Sequence, residues 1–173
     1  MIYLLDANVL INANNLYYPI DKVPEYWEWL LYMCQQGKVK MPLEIFEEVK
    51  DGPDDQEKDL LFSWLQKVEI KKALIFNEEI DIKNVQHVVS EGYASDLTDD
   101  EVTQIGRDPF LIAYALNNAN RCVVTAETSN PNKQRKNKKV PNVCKNLNVN
   151  WCDPFAFNRG LNFSTNWKTL IKE

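Results

Sequence analysis

Four places in this 173-residue sequence set a carboxylate where an apolar strand ends or a helix begins. Ile2-Tyr3-Leu4-Leu5 runs straight into Asp6, and Cys122-Val123-Val124-Thr125-Ala126 runs into Glu127. Met41-Pro42-Leu43 leads into the acidic group Glu44, Glu47 and Glu48, and Asp108-Pro109 opens the apolar stretch Phe110 to Leu116. Carboxylates gathered in one pocket repel one another, and at least one then has its pKa raised. A hard divalent cation relieves that repulsion. Oxygen-only ligands suit Mg²⁺ or Mn²⁺, and Mg²⁺ commonly takes one or two carboxylates together with waters and substrate phosphate. Such a site can activate water and offset charge that builds up on a phosphodiester, with two ions ~3.5–4 Å apart in many nucleases.

Short apolar runs bounded by an acid are the mark of strands buried on both faces, as in a parallel sheet. In open sheets of that kind, ligands bind outside the carboxyl ends of the strands, where Asp6 and Glu127 would stand. Asn8 offers an N-cap to the segment after Asp6, and Asp108 with Pro109 reads as N-cap and first helical residue. Between these motifs the chain supplies helical cover. Residues 25–34 form an apolar helix stopped by Gly37, and residues 54–67 a second, with Leu61, Trp64, Leu65 and Val68 as its inner stripe. Further helices are expected over 78–89 and, capped, over 95–105, with strands at 121–125 and 148–151 and a last turn or helix from Asp153-Pro154. Asp96, Asp99, Asp100 and Glu101 read as cap and first-turn acids. The alternation predicts an α/β fold, a parallel sheet with helices on both faces. One domain over residues 1–158 is expected. Residues 159–173 form a C-terminal appendage whose Leu161, Phe163, Trp167, Leu170 and Ile171 are apolar for a free tail.

The order LLDANVLI, PLEIFEEV, DPFLIAYAL, VVTAET resembles the PIN (PilT N-terminus) nuclease domain, over roughly residues 2 to 153. The resemblance implies a three-layer α/β/α fold with a central parallel sheet and an acidic site at the C-terminal edge of its strands. Position by position it makes Asp6, Glu48, Asp108 and Glu127 the catalytic metal ligands, with Mg²⁺ or Mn²⁺ and an activated water as the reagents. Glu48 fits the spacing from Pro42, leaving Glu44 and Glu47 as helix-face charges. Glu127 departs from the pattern, which more often has Asp there. Asn8 and Thr125 are expected to orient a ligand carboxylate or a water. The implied activity is metal-dependent endoribonuclease. Small free-standing PIN proteins resemble toxins of toxin–antitoxin pairs, which implies an antitoxin partner, and the family implies a homodimer. The alternative is a PIN-fold module that binds RNA or protein without catalysis. A phosphatase-like reading, with Asp6 as covalent nucleophile, lacks a well-placed lysine.

The net charge is −5, yet Asn132 to Lys139 holds five positive charges in eight residues. Lys133, Arg135, Lys136, Lys138 and Lys139 leave the strand end that carries Glu127, so they are candidates for phosphate contact, as is Arg107 beside Asp108. The bland reading is a solvated loop. Cys34, Cys122, Cys144 and Cys152 form no CxxC pair and His87 stands alone, which offers no zinc-ligand set and argues against a His-centred triad. Reduced thiols are expected, in a cytoplasmic protein. No apolar stretch approaches the ~18 residues of a membrane helix, and the N-terminal run reads as a strand, not a leader.

Overall fold

A computed structural model describes residues 1–50 and 60–170. Four short strands form an all-parallel sheet: β1 (Ile2–Leu5), β2 (Val39–Lys40), β3 (Arg121–Val124) and β4 (Trp151–Cys152), in the order β2-β1-β3-β4. Helices flank this sheet, so the chain is α/β. β1 pairs with β3 along its whole length, Ile2 opposite Arg121 through Leu5 opposite Val124. The chain leaves β1 for one neighbour and returns on its other side, so the topological switch point lies between β1 and β3. Ligands of open α/β sheets bind at that crevice.

Eleven α-helices are described: α1 (Ala7–Asn12), α2 (Pro24–Gln35), α3 (Leu43–Lys50), α4 (Leu60–Gln66), α5 (Val68–Leu74), α6 (Ile82–His87), α7 (Asp99–Ile105), α8 (Asp108–Ala115), α9 (Val140–Asn146), α10 (Pro154–Gly160) and α11 (Trp167–Leu170). Local chemistry explains many of their ends. Pro24 starts α2 with φ already set, and Gly37 closes the turn after it at φ +68°. Thr98 and Glu101 exchange bonds in a capping box at the start of α7. Asp153 accepts the Phe155 and Ala156 N–H groups at the start of α10. Two π-helical segments, Ala13–Tyr17 and Val88–Tyr93, follow α1 and α6 without a break.

The structure shifts several expectations. Asn8 does not cap: Asp6 is the residue before α1, and Asn8 sits inside the helix. Arg107 precedes α8, so Asp108 is its first residue rather than its cap. The helix expected over 54–67 breaks at Lys67, its residues 54–59 lie outside the described residues, and Val68 is 81% exposed instead of belonging to the inner stripe. Residues 78–81 are not helical, so the third expected helix starts at Ile82. β2 carries no alternation to find, being two residues long, and β4 begins where its expected strand ends.

The C-terminal stretch is packed rather than appended. The Phe163 ring lies 4.9 Å from Trp29 and 5.1 Å from Tyr26, and buried Trp167 donates its indole N–H to Glu25 O at 3.1 Å. Ile171 lies outside the described residues. Trp29, Tyr26 and Phe157 are the largest fully buried side chains, so the aromatic residues of α2 are core. His87 is exposed, and all four cysteines are free thiols. Among the described residues, no helix is long and apolar enough to cross a membrane.

Candidate active site

The register of β1 and β3 puts Asp6 and Thr125 side by side, each one residue beyond its strand. The Asp6 N–H continues the ladder to Val124 O at 2.9 Å. Its carboxylate, only 4% exposed, accepts through Oδ2 from the Thr125 hydroxyl and from Asn8 Nδ2, both at 2.6 Å. Asn8 also donates to Thr125 Oγ1 at 3.2 Å and accepts the Ala126 N–H at 2.8 Å. The Thr125 oxygen in turn accepts the Glu127 N–H at 3.1 Å. Three side chains thereby tie the β1–α1 corner to the end of β3, and Asp6 Oδ1 accepts none of these bonds. Burial pushes the Asp6 carboxyl up to about 6, with the Thr125 bond opposing and the charges of Glu48 and Glu127 adding to the rise.

Asp108 comes from the start of α8, and among the described residues its carboxylate has no hydrogen-bond partner. Burial raises it to about 8, followed by the charges of Asp6, Glu127 and Glu48, while Lys139 opposes them. The N-terminal dipole of α8 favours the ionised form, yet desolvation and three like charges outweigh it. Glu48, in the last turn of α3, is exposed at the rim of the same region. Partial desolvation raises it and Arg107 pulls it down. Glu48, Gln104, Ile105, Gly106, Arg107 and Asp108 line an open cleft of about 520 Å³.

Glu127 differs from the other three acids because both its oxygens are engaged. Oε1 pairs with Lys139 at 2.7 Å, and Oε2 accepts the Val140 N–H, at the start of α9, also at 2.7 Å. The four acids expected from the sequence therefore share one electrostatic neighbourhood. Among the described residues, no three His, Cys, Asp or Glu side chains close into a metal-binding group. Among the described residues, Asp6 Oδ1 and the carboxylate oxygens of Asp108 and Glu48 accept no hydrogen bond.

The basic run is not a solvated excursion. Arg135 pairs with Asp96 and Glu101, each at 2.7 Å, and so holds the half-buried Glu101 carboxyl down at about 2. Asp96 is thus an ion-pair partner, not a cap. Lys136 reaches Gln104, Lys138 donates to the Gly92 and Tyr93 carbonyls, and Lys139 serves Glu127. Exposed Lys133 is the one of the five whose side chain has no partner among the described residues. Arg107 donates to Glu44 O at 2.7 Å, which joins the starts of α3 and α8.

One residue here escaped sequence reasoning. Tyr93 is buried, with no partner for its hydroxyl among the described residues, in the field of Asp108, Glu127 and Asp6. A tyrosine in a Glu-Gly-Tyr stretch between two helical patterns gives no sign of that.

A family described as a domain of unknown function, DUF4411, matches residues 3–165. The chain belongs to the DUF4411 family. No curated protein and no solved structure matches it significantly. The DUF4411 match spans both strand ends, α3, α8 and the packed Phe163, so it covers every residue of the acidic site.

Proposed function

We propose that this DUF4411 chain is a PIN-like, metal-dependent endoribonuclease. The observation that carries the reading is the pair of raised carboxyls at the switch point, Asp6 at about 6 and Asp108 at about 8, each raised partly by neighbouring acids. Such mutual repulsion is held in a folded protein where a cation normally offsets it. The donor set fits a hydrated, oxygen-seeking ion such as Mg²⁺ or Mn²⁺, because it is all carboxylate and too open to form a closed protein cage.

Asp6, Asp108 and Glu48 would hold the ion. When bound, it would neutralise them, polarise a phosphodiester and lower the pKa of water. Thr125 and Asn8 keep the Asp6 carboxylate in one orientation through two bonds to Oδ2, directing Oδ1 to the ligand. The α8 N-terminus adds partial positive charge beside Asp108. Glu127 acts at one remove, anchoring the segment that ends at Lys139 and Val140 while adding negative charge. On the PIN resemblance, the chain is the cytoplasmic toxin of a toxin–antitoxin pair, occupied by its antitoxin and able to form a homodimer.

The test is cleavage of a structured RNA by the purified protein with Mg²⁺ or Mn²⁺, beside Asp6→Asn and Asp108→Asn. Loss of cleavage in both variants is expected, and metal-dependent cleavage surviving in both sinks the assignment. One observation favours a second reading, a binding module without catalysis. Glu127, the acid that departs from the PIN pattern, has both oxygens committed to the protein. Absence of Mn²⁺ binding by calorimetry, with RNA affinity intact, would select that reading.

A further inference from the structure

The cleft that Asp108 and Glu48 line is also lined by Gln104, an exposed residue in the last turn of α7. Gly106, at φ +69°, turns the chain from α7 into α8, and residues 104–108 all line the cleft. Gln104 Oε1 accepts a hydrogen bond from the Lys136 ammonium, which comes from the short 3-10 turn Arg135–Asn137 packed on α7. This contact joins the basic run to the acidic cleft, and it differs in kind from the other contacts of that run. Arg135 and Lys139 meet carboxylates, which cancel their charge. Lys138 spends its donors on the Gly92 and Tyr93 carbonyls, away from the cleft lining. Lys136 is held by a neutral amide, so its positive charge is kept, and among the described residues no carboxylate pairs with it. Gln104 Nε2 likewise has no partner among the described residues, which leaves two N–H groups to donate.

A phosphodiester strand brings more than one phosphate to such a cleft. The phosphate over Asp108 and Glu48 is served by the cation held there, while its neighbour in the strand meets carboxylates that repel it. A fixed positive charge on the same wall offsets that repulsion, and an ammonium acts on phosphate as a point charge. We propose that Gln104 and Lys136 together bind the phosphate next to the one at the acids, and so mark the path of a single RNA strand across the cleft. Lys136 supplies the attraction. Gln104 aims the ammonium through Oε1 and donates from Nε2 to a phosphate or ribose oxygen, the kind of contact that positions a nucleic acid without reading its sequence. An acid in place of Gln104 would aim the ammonium equally well and cancel its charge.

This proposal rests on the nuclease reading, and Lys136→Met and Gln104→Met test it without opening the core. RNA affinity is read by fluorescence anisotropy of a labelled single-stranded RNA with Ca²⁺, over a series of salt concentrations. Mn²⁺ affinity of the RNA-free protein is read by calorimetry, and the melting temperature by circular dichroism. For Lys136→Met the expected result is a loss of about tenfold in RNA affinity, as for one hydrogen bond to a charged group, and a salt slope flatter by about one ion. Gln104→Met should also weaken RNA binding but keep the wild-type slope, because it removes no charge. Mn²⁺ affinity and melting temperature should stay unchanged in both. Wild-type RNA affinity in either variant, or a lower melting temperature that accounts for the loss, overturns the assignment. Asp108→Asn, run beside them for Mn²⁺-dependent cleavage, separates the two claims. If that variant cleaves like the wild type, the nuclease reading fails and the proposal falls with it. If it is inactive while Lys136→Met binds RNA normally, the Gln104–Lys136 pair alone is misassigned.

Discussion

The Thr125 hydroxyl donates to Asp6 Oδ2 at 2.6 Å, between residues 119 positions apart in the chain. Both groups are buried at the ends of adjacent parallel strands, so this one bond fixes the acid that opens the chain against the strand end that carries Glu127. The Thr125 bond is also the largest influence holding the Asp6 carboxyl below where burial alone would put it. Thr125→Val keeps the shape of the side chain and removes the hydroxyl. It leaves Asp6, Asn8 and the Glu127 N–H each short of a partner, at a cost of roughly 1–3 kcal/mol. We expect a lower melting temperature, an Asp6 pKa above about 6 and weaker Mn²⁺ binding. Calorimetric titration against Mn²⁺ at pH 6 and pH 8 checks it, because the loss must be larger at the lower pH.

Asp108 gives the cation-free protein a pH dependence of defined sign. Its carboxyl titrates near 8 when folded and near 3.8 as an unperturbed group. The folded state therefore holds a proton that the unfolded chain has released. Across that window stability falls as pH rises, and the loss is complete above about 8. Asp108→Asn removes the titrating group, so its melting temperature should exceed that of the wild type by several degrees at pH 8.5. The two should converge near pH 4. Equal melting temperatures at both pH values would contradict the raised carboxyl.

The sequence made the strand-end acids legible because strands β1 and β3 are buried on both faces and read as unbroken apolar runs. The convergence of Asp6 with Thr125 follows from their register, which four residues of β-branched and apolar sequence are enough to set. Less was legible where local pattern is short or overridden. Val39 and Lys40 form a strand only because β1 pairs with them, and Val68 is apolar yet exposed because α4 ends at Gln66 and the chain restarts in α5. The basic run illustrates a different limit. Charge composition announces five cations, but Arg135, Lys138 and Lys139 find their partners 12 to 46 residues away, a tertiary fact that composition cannot hold.

Lys139 competes with any ion for Glu127. The pair is half-exposed, so Lys139→Gln should change stability by no more than about 1 kcal/mol. Its effect on the site is larger in kind. It frees Glu127 Oε1, and it removes a cation that lowers the Asp108 carboxyl. With a competing positive charge gone and another carboxylate oxygen available, Mn²⁺ affinity at pH 8.5 should rise several-fold. Calorimetry on the variant decides it, and a weaker Mn²⁺ affinity would show that Lys139 organises the ligand set rather than masking it.

Arg135 should prove structural rather than substrate-binding. Its guanidinium is shared between Asp96 and Glu101, and the backbone there holds φ +53°, which orders the loop around it. Glu101 titrates near 2 when folded and near 4.5 as an unperturbed group. The stability it contributes is thus present above about 4.5 and is lost as pH falls toward 2. Arg135→Met should therefore melt below the wild type at pH 7, with the gap narrowing steadily from pH 4.5 downward. Its affinity for single-stranded RNA, and the slope of that affinity against salt, should match the wild type, because a neutralised phosphate contact would flatten the slope by about one ion. Lys133→Gln supplies the contrast, since that exposed ammonium is uncommitted and its loss should flatten the slope. If Arg135→Met weakens RNA binding and keeps the wild-type melting temperature, the arginine belongs to the substrate instead.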